Sequence, residues 1–469
     1  MQLVAYGSQD VYLTGNPQIT FWKAVYKRHT NFALENIQQV FNGSPQGGQK
    51  SSVTVSRNGD LVHQMYLRFT QPQFVDTEAG QTAPARQAET ARASWAAEQF
   101  VSEIEMSIGG QRIDRHTREW FRLYDNLYND ASKKRQWEKL TCTSSSNAQG
   151  ALGTGAQELG TLVLPLIFSF NRHPGLALPL IALQYHEVKI DVSFTQQASG
   201  VGPLNQTFTT TVCPTEMWAN YVYLDTDERR RFAQNQHEYL IEQLQVQSES
   251  VDTKQNNVRL NFNHPVKELV WCAAQNGGSM SNANATYGAF HSVHEQRFTG
   301  EGASAIANSN GALGGGAWTP VVCPADVDSH VRTVINTQVD GWSESGLAFS
   351  NSQLGMEAMN GLLDTAKIQL NGHDRFSQQG ADFFNGVQPY QHHSGSPSAG
   401  IYVYSFALNP EDHQPSGTCN FSRIDNATLV YTPRAQQQNL CSSSQLHIYA
   451  TNYNVLRVMS GMGGLAYSN

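Results

Sequence analysis

The sequence predicts an all-β chain built as two β-sandwiches in tandem. Three observations carry the prediction: an internal repeat, apolar residues recurring at period two, and dense turn signals. The repeat is the strongest. Ile108, Gly110 and the run Trp120, Phe121, Tyr124, Leu127 reappear as Leu370, Gly372 and Phe383, Phe384, Val387, Tyr390. The copies stand 262 residues apart at the glycines and 263 apart over the aromatics. Further on, Ser169-Phe170, Pro174 and Pro179 return as Ser405-Phe406, Pro410 and Pro415, now 236 apart. The order of signals is kept, and a single spacer has changed length. It runs 42 residues from Leu127 to Ser169 but 15 from Tyr390 to Ser405, so one longer loop in the first half accounts for the slip. A unit of roughly 200 residues is far longer than solenoid or propeller repeats. It reads as two whole domains of one architecture.

Within each half the alternation is plain. Val188, Ile190, Val192 and Phe194 alternate with Glu187, Lys189, Asp191 and Ser193, the pattern of a strand with one face buried. Ala427, Leu429 and Tyr431 do the same in the second half, and Val258, Leu260 and Phe262 match Val53 and Val55. Asn42-Gly43, Asn58-Gly59, Asn276-Gly277, Asn371-Gly372 and Asn385-Gly386 offer the positive φ that tight connections demand. Helix is scarce. Trp120, Phe121, Tyr124 and Leu127 form one apolar stripe on a short helix, expected to cover an end of a sandwich. Asp225 followed by Asp227 and Glu228, with Arg229 to Arg231 behind them, predicts a second short helix between the halves. The predicted division is 1–30 as an N-terminal segment, 31–224 as the first sandwich, 225–236 as a linker helix and 237–469 as the second sandwich. Residues 71–98, 141–160 and 275–360, the last with Trp318 and Trp342, break the strand pattern. They are expected to be long loops that project together as an exposed surface.

Composition excludes several classes. Charged residues make up 15% of the 469, against about 25% in typical domains, and Gln, Asn, Ser, Thr and 38 Gly fill the gap. A net charge of −8 argues against a chain that neutralises phosphates, which needs a basic face. The two dense basic runs, Lys133-Lys134-Arg135 and Arg229-Arg230-Arg231, read as solvated helix faces or loops. No signal peptide is visible at Met1–Tyr6, and the longest apolar stretches, 161–170 and 176–185, run ten residues each, against the ~20 a membrane span needs. The expectation is a soluble chain made in a reducing compartment.

Catalytic and metal-binding motifs are weak. His186-Glu187 is followed by Val188-Lys189-Ile190, so the zinc-protease spacing fails. His291, His294 and Glu295, and the pair His392-His393, each lack a third ligand that sequence can place. Gly153-Thr154-Gly155 has no phosphate-loop context, and there is no Gly-x-Ser-x-Gly elbow. No cofactor is expected. Asn42, Asn205, Asn284 and Asn426 begin Asn-x-Ser/Thr sequons, and Asn426 lies on the strand predicted from Ala427.

Recognition is more specific. The run Gln2-Leu3-Val4-Ala5-Tyr6-Gly7 through Leu13-Thr14-Gly15-Asn16-Pro17-Gln18-Ile19-Thr20-Phe21 resembles the major capsid protein of nucleocytoplasmic large DNA viruses, of the algal-virus (phycodnavirus) kind. So do Ile108-Gly109-Gly110-Gln111-Arg112-Ile113-Asp114, Pro179 through Lys189, and Asn263-His264-Pro265. The C-terminal signatures Tyr404–Leu408, Pro415–Ala427 and Asn452-Tyr453-Asn454-Val455-Leu456-Arg457 to Ala466 are stronger. The resemblance implies a double jelly-roll, two tandem eight-stranded sandwiches, in a chain that is a shell tile and not an enzyme. It implies a homotrimer forming a pseudo-hexagonal capsomer in the outer capsid shell of the virion, assembled in the host cytoplasm. Its expected partners are itself, neighbouring capsomers, minor capsid and penton proteins and the inner viral membrane, with no direct nucleic-acid contact. The three long loops show no match.

Residues 1–30 have no counterpart in the second half. Tyr12, Phe21, Trp22 and Tyr26 are a heavy aromatic load for a terminus, beside Asn16, Pro17 and Arg28. Either they cap the open end of the first sandwich, or they make inner-face assembly contacts. A carbohydrate-binding or carbohydrate-cleaving tandem sandwich would share the composition, and a nucleic-acid-binding β protein is disfavoured by charge. The six cysteines, at 142, 213, 272, 323, 419 and 441, form no close pair. All six are expected to be thiols in fresh protein. Denaturing alkylation without reductant should label six per chain, and recovery of a disulfide-linked peptide would overturn the expectation.

Overall fold

The computed structural model describes residues 7–70 (apart from 20, 23, 25, 46 and 47), 73–76, 96–141, 156–158, 161–194, 206–209, 215–250, 255–275, 363–433 (apart from 396, 398 and 399) and 444–467. Cys142, Cys213, Cys323, Cys441, Asn205, Asn284, His291, His294 and Glu295 lie outside the described residues, as do Asn276-Gly277 and most of the three long loops.

After a short helix α1 (Asp10–Thr14), the first half contributes β1 (Phe32–Gln39), β2 (Phe41–Asn42), β3 (Lys50–Thr54), β4 (Leu61–Thr70) and β5 (Gln73–Asp76). Next come α2 (Ala96–Gln99), β6 (Val101–Ile108), β7 (Gln111–Thr117), α3 (Arg118–Tyr128) and α4 (Ala131–Thr141). The half ends with β8 (Ala156–Glu158), β9 (Thr161–Pro165), α5 (Ser169–Arg172), β10 (Leu178–Pro179), β11 (Val188–Phe194), β12 (Gln206–Thr209) and β13 (Thr215–Leu224). A helix α6 (Thr226–Gln234) follows. It is capped as expected, the Asp225 carboxylate accepting from the Thr226 N–H at 2.8 Å. The second half opens with β14 (His237–Ser250), β15 (Asn256–Arg259), β16 (Pro265–Gln275), β17 (Leu363–Leu370), β18 (His373–Asp374) and β19 (Gln379–Gly380). A π-helical turn (Phe383–Val387) and α7 (Gln388–His392) lead to β20 (Ile401–Ser405), β21 (Cys419–Asn420), β22 (Ala427–Pro433), β23 (Ser444–Met459) and β24 (Met462–Leu465).

Among the described residues every ladder is antiparallel, and the two halves share one strand order. In the first, β1-β13-β4 carries β9 and β10 on β4, and faces β2-β3-β11-β6-β7. In the second, β14-β23-β16 carries β20 and β21 on β16, and faces β15-β22-β17-β18. This is the jelly-roll order twice over. The register repeats as well. The β4–β13 ladder skips a step between Ala219 and Tyr221, and the β16–β23 ladder skips one between Val266 and Glu268. Each bulge sends a basic side chain toward the loop that follows. His63 Nδ1 lies 2.7 Å from the Phe170 carbonyl, and Lys267 Nζ donates to the Pro410 carbonyl at 2.5 Å.

The alternation read in β11 is real: Val188, Ile190, Val192 and Phe194 are all buried. The repeated glycine turns sit where expected, at the β6–β7 and β17–β18 hairpins. Gly109 and Gly110 have φ of 58° and 85°, and Asn371 and Gly372 of 53° and 77°. A side chain at 109 would also collide with the His186 ring.

Several expectations are corrected. Of the described Asn-Gly pairs, Gly43 and Gly372 take positive φ, but Gly59 and Gly386 do not. Asn385-Gly386 belongs to the π-helical turn, where the Asn385 amide donates to the Ile401 carbonyl at 2.7 Å. The Trp120 stripe lies on α3 as predicted, but α3 is wedged between the two sandwiches and does not cover an end. Its repeat partner Tyr390 is 90% exposed where Leu127 is fully buried. The one-spacer account of the repeat stops at Ser405. Pro179 pairs with Leu61 inside β10, while Pro415 lies before β21, whose Asn420 takes the equivalent place opposite Pro265. Parts of two predicted loops are strands, since β5 and β8 join β12 in a small third sheet. Asn426 precedes β22 and is exposed.

The core explains why β16 resists pattern reading. Leu269 and Trp271 point into the second sandwich, while Val270 and Cys272 point out of it and join the core of the first half. A strand buried on both faces reads as an unbroken apolar run.

Candidate assembly surface

The seam between the sandwiches is built from α3 outward. Trp120, Phe121, Leu123 and Leu127 are buried by the helix's own half and by the outer face of β16 and β23. The Trp120 ring stacks on Tyr449 with centroids 5.4 Å apart. The Gly395 N–H donates to the Leu127 carbonyl at 2.9 Å, and any side chain at 395 would strike the Asn126 and Leu127 carbonyls.

Beside this apolar contact lies a buried ionic cluster. Glu242 of β14 meets Arg172 at 2.9 Å and Lys267 at 2.7 Å. The imidazole of His393 sits between Glu268, 3.2 Å from Nε2, and Glu411, 3.4 Å from Nδ1. The Tyr128 hydroxyl donates to the Glu268 carboxylate, and the rings of Tyr128 and Tyr453 flank the Lys267 ammonium at 5.9 and 5.7 Å. Three cations thus face three carboxylates. Such groups stay buried only when paired, and removing one partner costs about 3–5 kcal/mol. Burial alone would raise the Glu242 carboxyl, yet Arg172 and Lys267 hold it below the ordinary range. Burial lowers Lys267 to about 8 despite Glu242. Burial would also lower His393, but Glu268 and Glu411 outweigh it and raise the imidazole to about 9. At neutral pH His393 is therefore a fixed cation and not a general base.

Two cavities follow the seam. One of about 330 Å³ is lined by Tyr124, Lys133, Arg172, His173, Glu242 and His413. The other, of about 480 Å³, is lined by Gln111, Arg115, Gln243, Asn261 and Leu465 among others. Among the described residues no group of three or more His, Cys, Asp or Glu is placed to hold a metal ion. His392 and His393, read from sequence as a candidate metal pair, are committed elsewhere: His392 Nδ1 lies 2.8 Å from the Leu408 carbonyl, and His393 is ion-paired. Of the cysteines, Cys272 and Cys419 are free thiols. The two basic runs stand on helices α4 and α6, as one of their readings held.

The N-terminal residues are brought together in sequence but packed on nothing that shields them. Tyr12, Phe21, Trp22 and Tyr26 are 92%, 99%, 87% and 89% exposed. Asn16, in the left-handed region at φ 53°, Pro17 and Arg28 are exposed too. In this chain the aromatics do not cap the first sandwich. Asn42 and Asn426 are exposed.

Comparison with known proteins matches this geometry. A family described as large eukaryotic DNA virus major capsid protein matches residues 228–464, and its companion for the major capsid protein N-terminus matches residues 20–225. The chain belongs to this family. The major capsid protein of Paramecium bursaria Chlorella virus 1 is 42% identical over 100% of this chain and 99% of its own length. That of Phaeocystis pouchetii virus is 40% identical with the same coverage. The quasi-atomic model of the PBCV-1 virus capsid superposes with a TM-score of 0.67 at 36% identity, covering 96% of this chain and 100% of that one. The Faustovirus major capsid protein, 14% identical with a TM-score of 0.60, shares the fold. This major capsid protein is thus a double jelly-roll with a structural role in the capsid of a large DNA virus, located in the virion shell. It is not an enzyme.

Sequence reasoning missed the ionic seam. The available signal was Lys267-Glu268 interrupting the otherwise apolar β16, a pair that reads as surface without the partner domain.

The seam makes stability depend on pH. His393 ionises near 6.5 when unfolded and about 9 when folded, so between these values the folded state keeps a proton the unfolded state has lost. Stability is fully present below pH 6.5 and falls as pH rises. Lys267, lowered to about 8, acts in the opposite sense as pH approaches and passes that value. The net expectation is a loss on the order of 1 kcal/mol between pH 6.5 and 8. Denaturant midpoints at the two pH values measure it, and His393→Gln should flatten the difference. A His393→Gln protein that keeps the full slope would show that another group carries it.

Proposed function

We propose that three copies of this chain form a pseudo-hexagonal capsomer that tiles the icosahedral shell of a large double-stranded DNA virus. One observation carries the reading. The two jelly-rolls meet head to tail, α3 of the first lying on the outer sheet of the second, and the contact is not returned, because the equivalent helical turn of the second half is exposed. Head-to-tail contacts between like units either close into rings or run on as filaments. Two such units per chain let a threefold trimer present near-sixfold symmetry to its neighbours. The proposed units are 31–224 and 237–469, joined by 225–236.

Residues 1–30 are proposed to lie on the inner face. There Tyr12, Asn16, Pro17, Phe21, Trp22, Tyr26 and Arg28 would meet neighbouring capsomers, minor capsid and penton proteins, or the membrane beneath the shell. Their exposure supports this, since large bare aromatics on a lone chain mark contact surfaces. Assembly is proposed to take place in the host cytoplasm, with no cofactor and no direct nucleic-acid contact. Of the four sequons, exposure supports Asn42 and Asn426 as sugar acceptors.

Light scattering tests the trimer: about 155 kDa is expected, three times 51.8 kDa, with pseudo-hexagonal particles under the electron microscope. A stable micromolar monomer would refute it. Deleting residues 1–25 should leave a soluble trimer that no longer assembles into shells. If the deletion lowers the melting temperature by more than ~5 °C, on the order of one kcal/mol or more, the segment belongs to the core instead.

A further inference from the structure

We propose that the stacked imidazoles of His173 and His413 form an acid-operated release for the seam, pushing the two jelly-rolls apart when both rings carry an added proton. The pair bridges the halves. His173 follows α5 in the first jelly-roll and His413 lies in the loop after β20 of the second, their rings stacked with centroids 4.9 Å apart. Both line the cavity of about 330 Å³, His173 exposed and His413 half-buried. Protons therefore reach the rings without the protein opening first.

The hydrogen bonding shows what an added proton does. The Gly175 N–H donates to His173 Nδ1 at 3.0 Å, so the neutral ring keeps its hydrogen on Nε2. Protonation places a hydrogen on Nδ1, where it confronts the Gly175 N–H and ends the bond that caps the turn Pro174–Leu176. The charged ring then faces a second imidazolium at stacking distance, and like charges that close repel.

The surrounding charges do not offset the repulsion. Arg172 of α5, Lys133 of α4 and Lys267 of β16 add positive charge around the pair. The carboxylates are committed elsewhere: Glu242 of β14 to Arg172 and Lys267, and Glu411 to His393 and the Ser394 N–H. Asp412 accepts from the Asn409 amide and Asp130 from the Lys133 N–H. Of the two tyrosines of α3 in the wall, Tyr124 is raised by burial and Tyr128 is bonded to Glu268. Burial, and after it the facing His173, holds the His413 imidazole below its ordinary value. As pH falls the unfolded chain takes up this proton first, so the contribution is present above about pH 6.5 and is lost below it. It runs opposite to that of His393, which acts on the alkaline side.

The push lands where the seam is held. Arg172, next to His173, carries the ion pair to Glu242 across the seam. The loop bearing His413 is fixed at Pro410 by Lys267 and at Glu411 by Ser394, whose hydroxyl donates to the Tyr128 carbonyl of the first half at 3.2 Å. Displacing either ring loads these cross-seam bonds from both sides.

The experiment uses the full-length protein and the thiol of Cys272, which is 0% exposed and packs into the core of the first half. Its labelling by a pyridyl disulfide is measured at pH 6.5 and 5, each rate taken relative to the denatured chain at the same pH and the site identified by mass spectrometry. Protection of Cys272 should fall roughly three- to tenfold, up to the factor that one pKa unit carries. Cys419, packed against the core of the second sandwich, should keep its ratio, and the circular dichroism spectrum should not change. His413→Gln should hold the Cys272 ratio constant, while His413→Lys, a fixed cation, should lower it already at pH 6.5. If His413→Lys does not fold, the His413→Gln comparison decides alone. An unchanged wild-type ratio, a fall shared equally by Cys419, a folded His413→Lys protein with wild-type protection, or a His413→Gln protein that keeps the full acid loss each overturns the proposal.

Discussion

Everything in this chain hangs on a sheet buried on both faces. The outer side of β16 and β23 would be the solvated wall of an ordinary sandwich, and here it is the floor on which α3 and the first jelly-roll rest. Val270, Cys272 and Tyr449 are sealed from solvent, and each buried apolar side chain of that size contributes about 1.5–3 kcal/mol. The ionic cluster next to it adds direction. Charges that lose water must find partners in one geometry, so the pairs that cross the seam, Arg172 with Glu242 and the Tyr128 hydroxyl with Glu268, fix the angle and register at which the halves meet. The apolar part supplies cohesion, and the charged part makes the orientation unique. A shell tile needs both, since a small error in the angle between jelly-rolls would be multiplied around a ring.

The two halves have diverged where their surroundings differ. The His63 and Lys267 bulges keep the same backbone and the same reach to a following carbonyl. The residues around them have separated into an amide and apolar set on one side and a charged set on the other. The same holds for the repeated helix, where Phe121 and Phe384 both stay buried, but Leu127 has become Tyr390. Inward positions are constrained by their own sandwich and remain alike, whereas outward positions answer to whatever lies across the interface.

That distinction also sets how far the sequence could be read. Strands with one wet face, such as β11, announce themselves by alternation, and the glycine hairpins at Gly110 and Gly372 announce the repeat. The capped helix α6 was legible from Asp225 and the acids behind it. The seam was not. Val270 and Cys272 sit in a run whose apolar residues face two different cores, and periodicity cannot separate these. Lys267-Glu268 and the His393 imidazole are hydrophilic locally and buried against a domain more than a hundred residues away. The π-helical turn hid its Asn-Gly pair for a similar reason, as Asn385 serves a strand sixteen residues on. The N-terminal aromatics were visible in the sequence, and their bareness in the lone chain speaks against a cap on the first sandwich.

The pairing of β14 with β23 has a consequence for synthesis. His237 meets Val458, and Ser250 meets Gln445, so the central strand of the second sheet is made 220 residues after the last strand of the first jelly-roll ends at Leu224. The first jelly-roll is complete once β13 has emerged at Leu224, but the floor for α3 does not exist until β23 is made. At ~5–20 residues per second, Trp120 and Leu127 wait on the order of half a minute for their cover. During that interval the nascent chain carries a sticky aromatic face beside unpaired carboxylates and amines. Crowded polysomes making a shell protein in bulk would bring many such faces together. The late strand is therefore a point at which a host chaperone has something to hold.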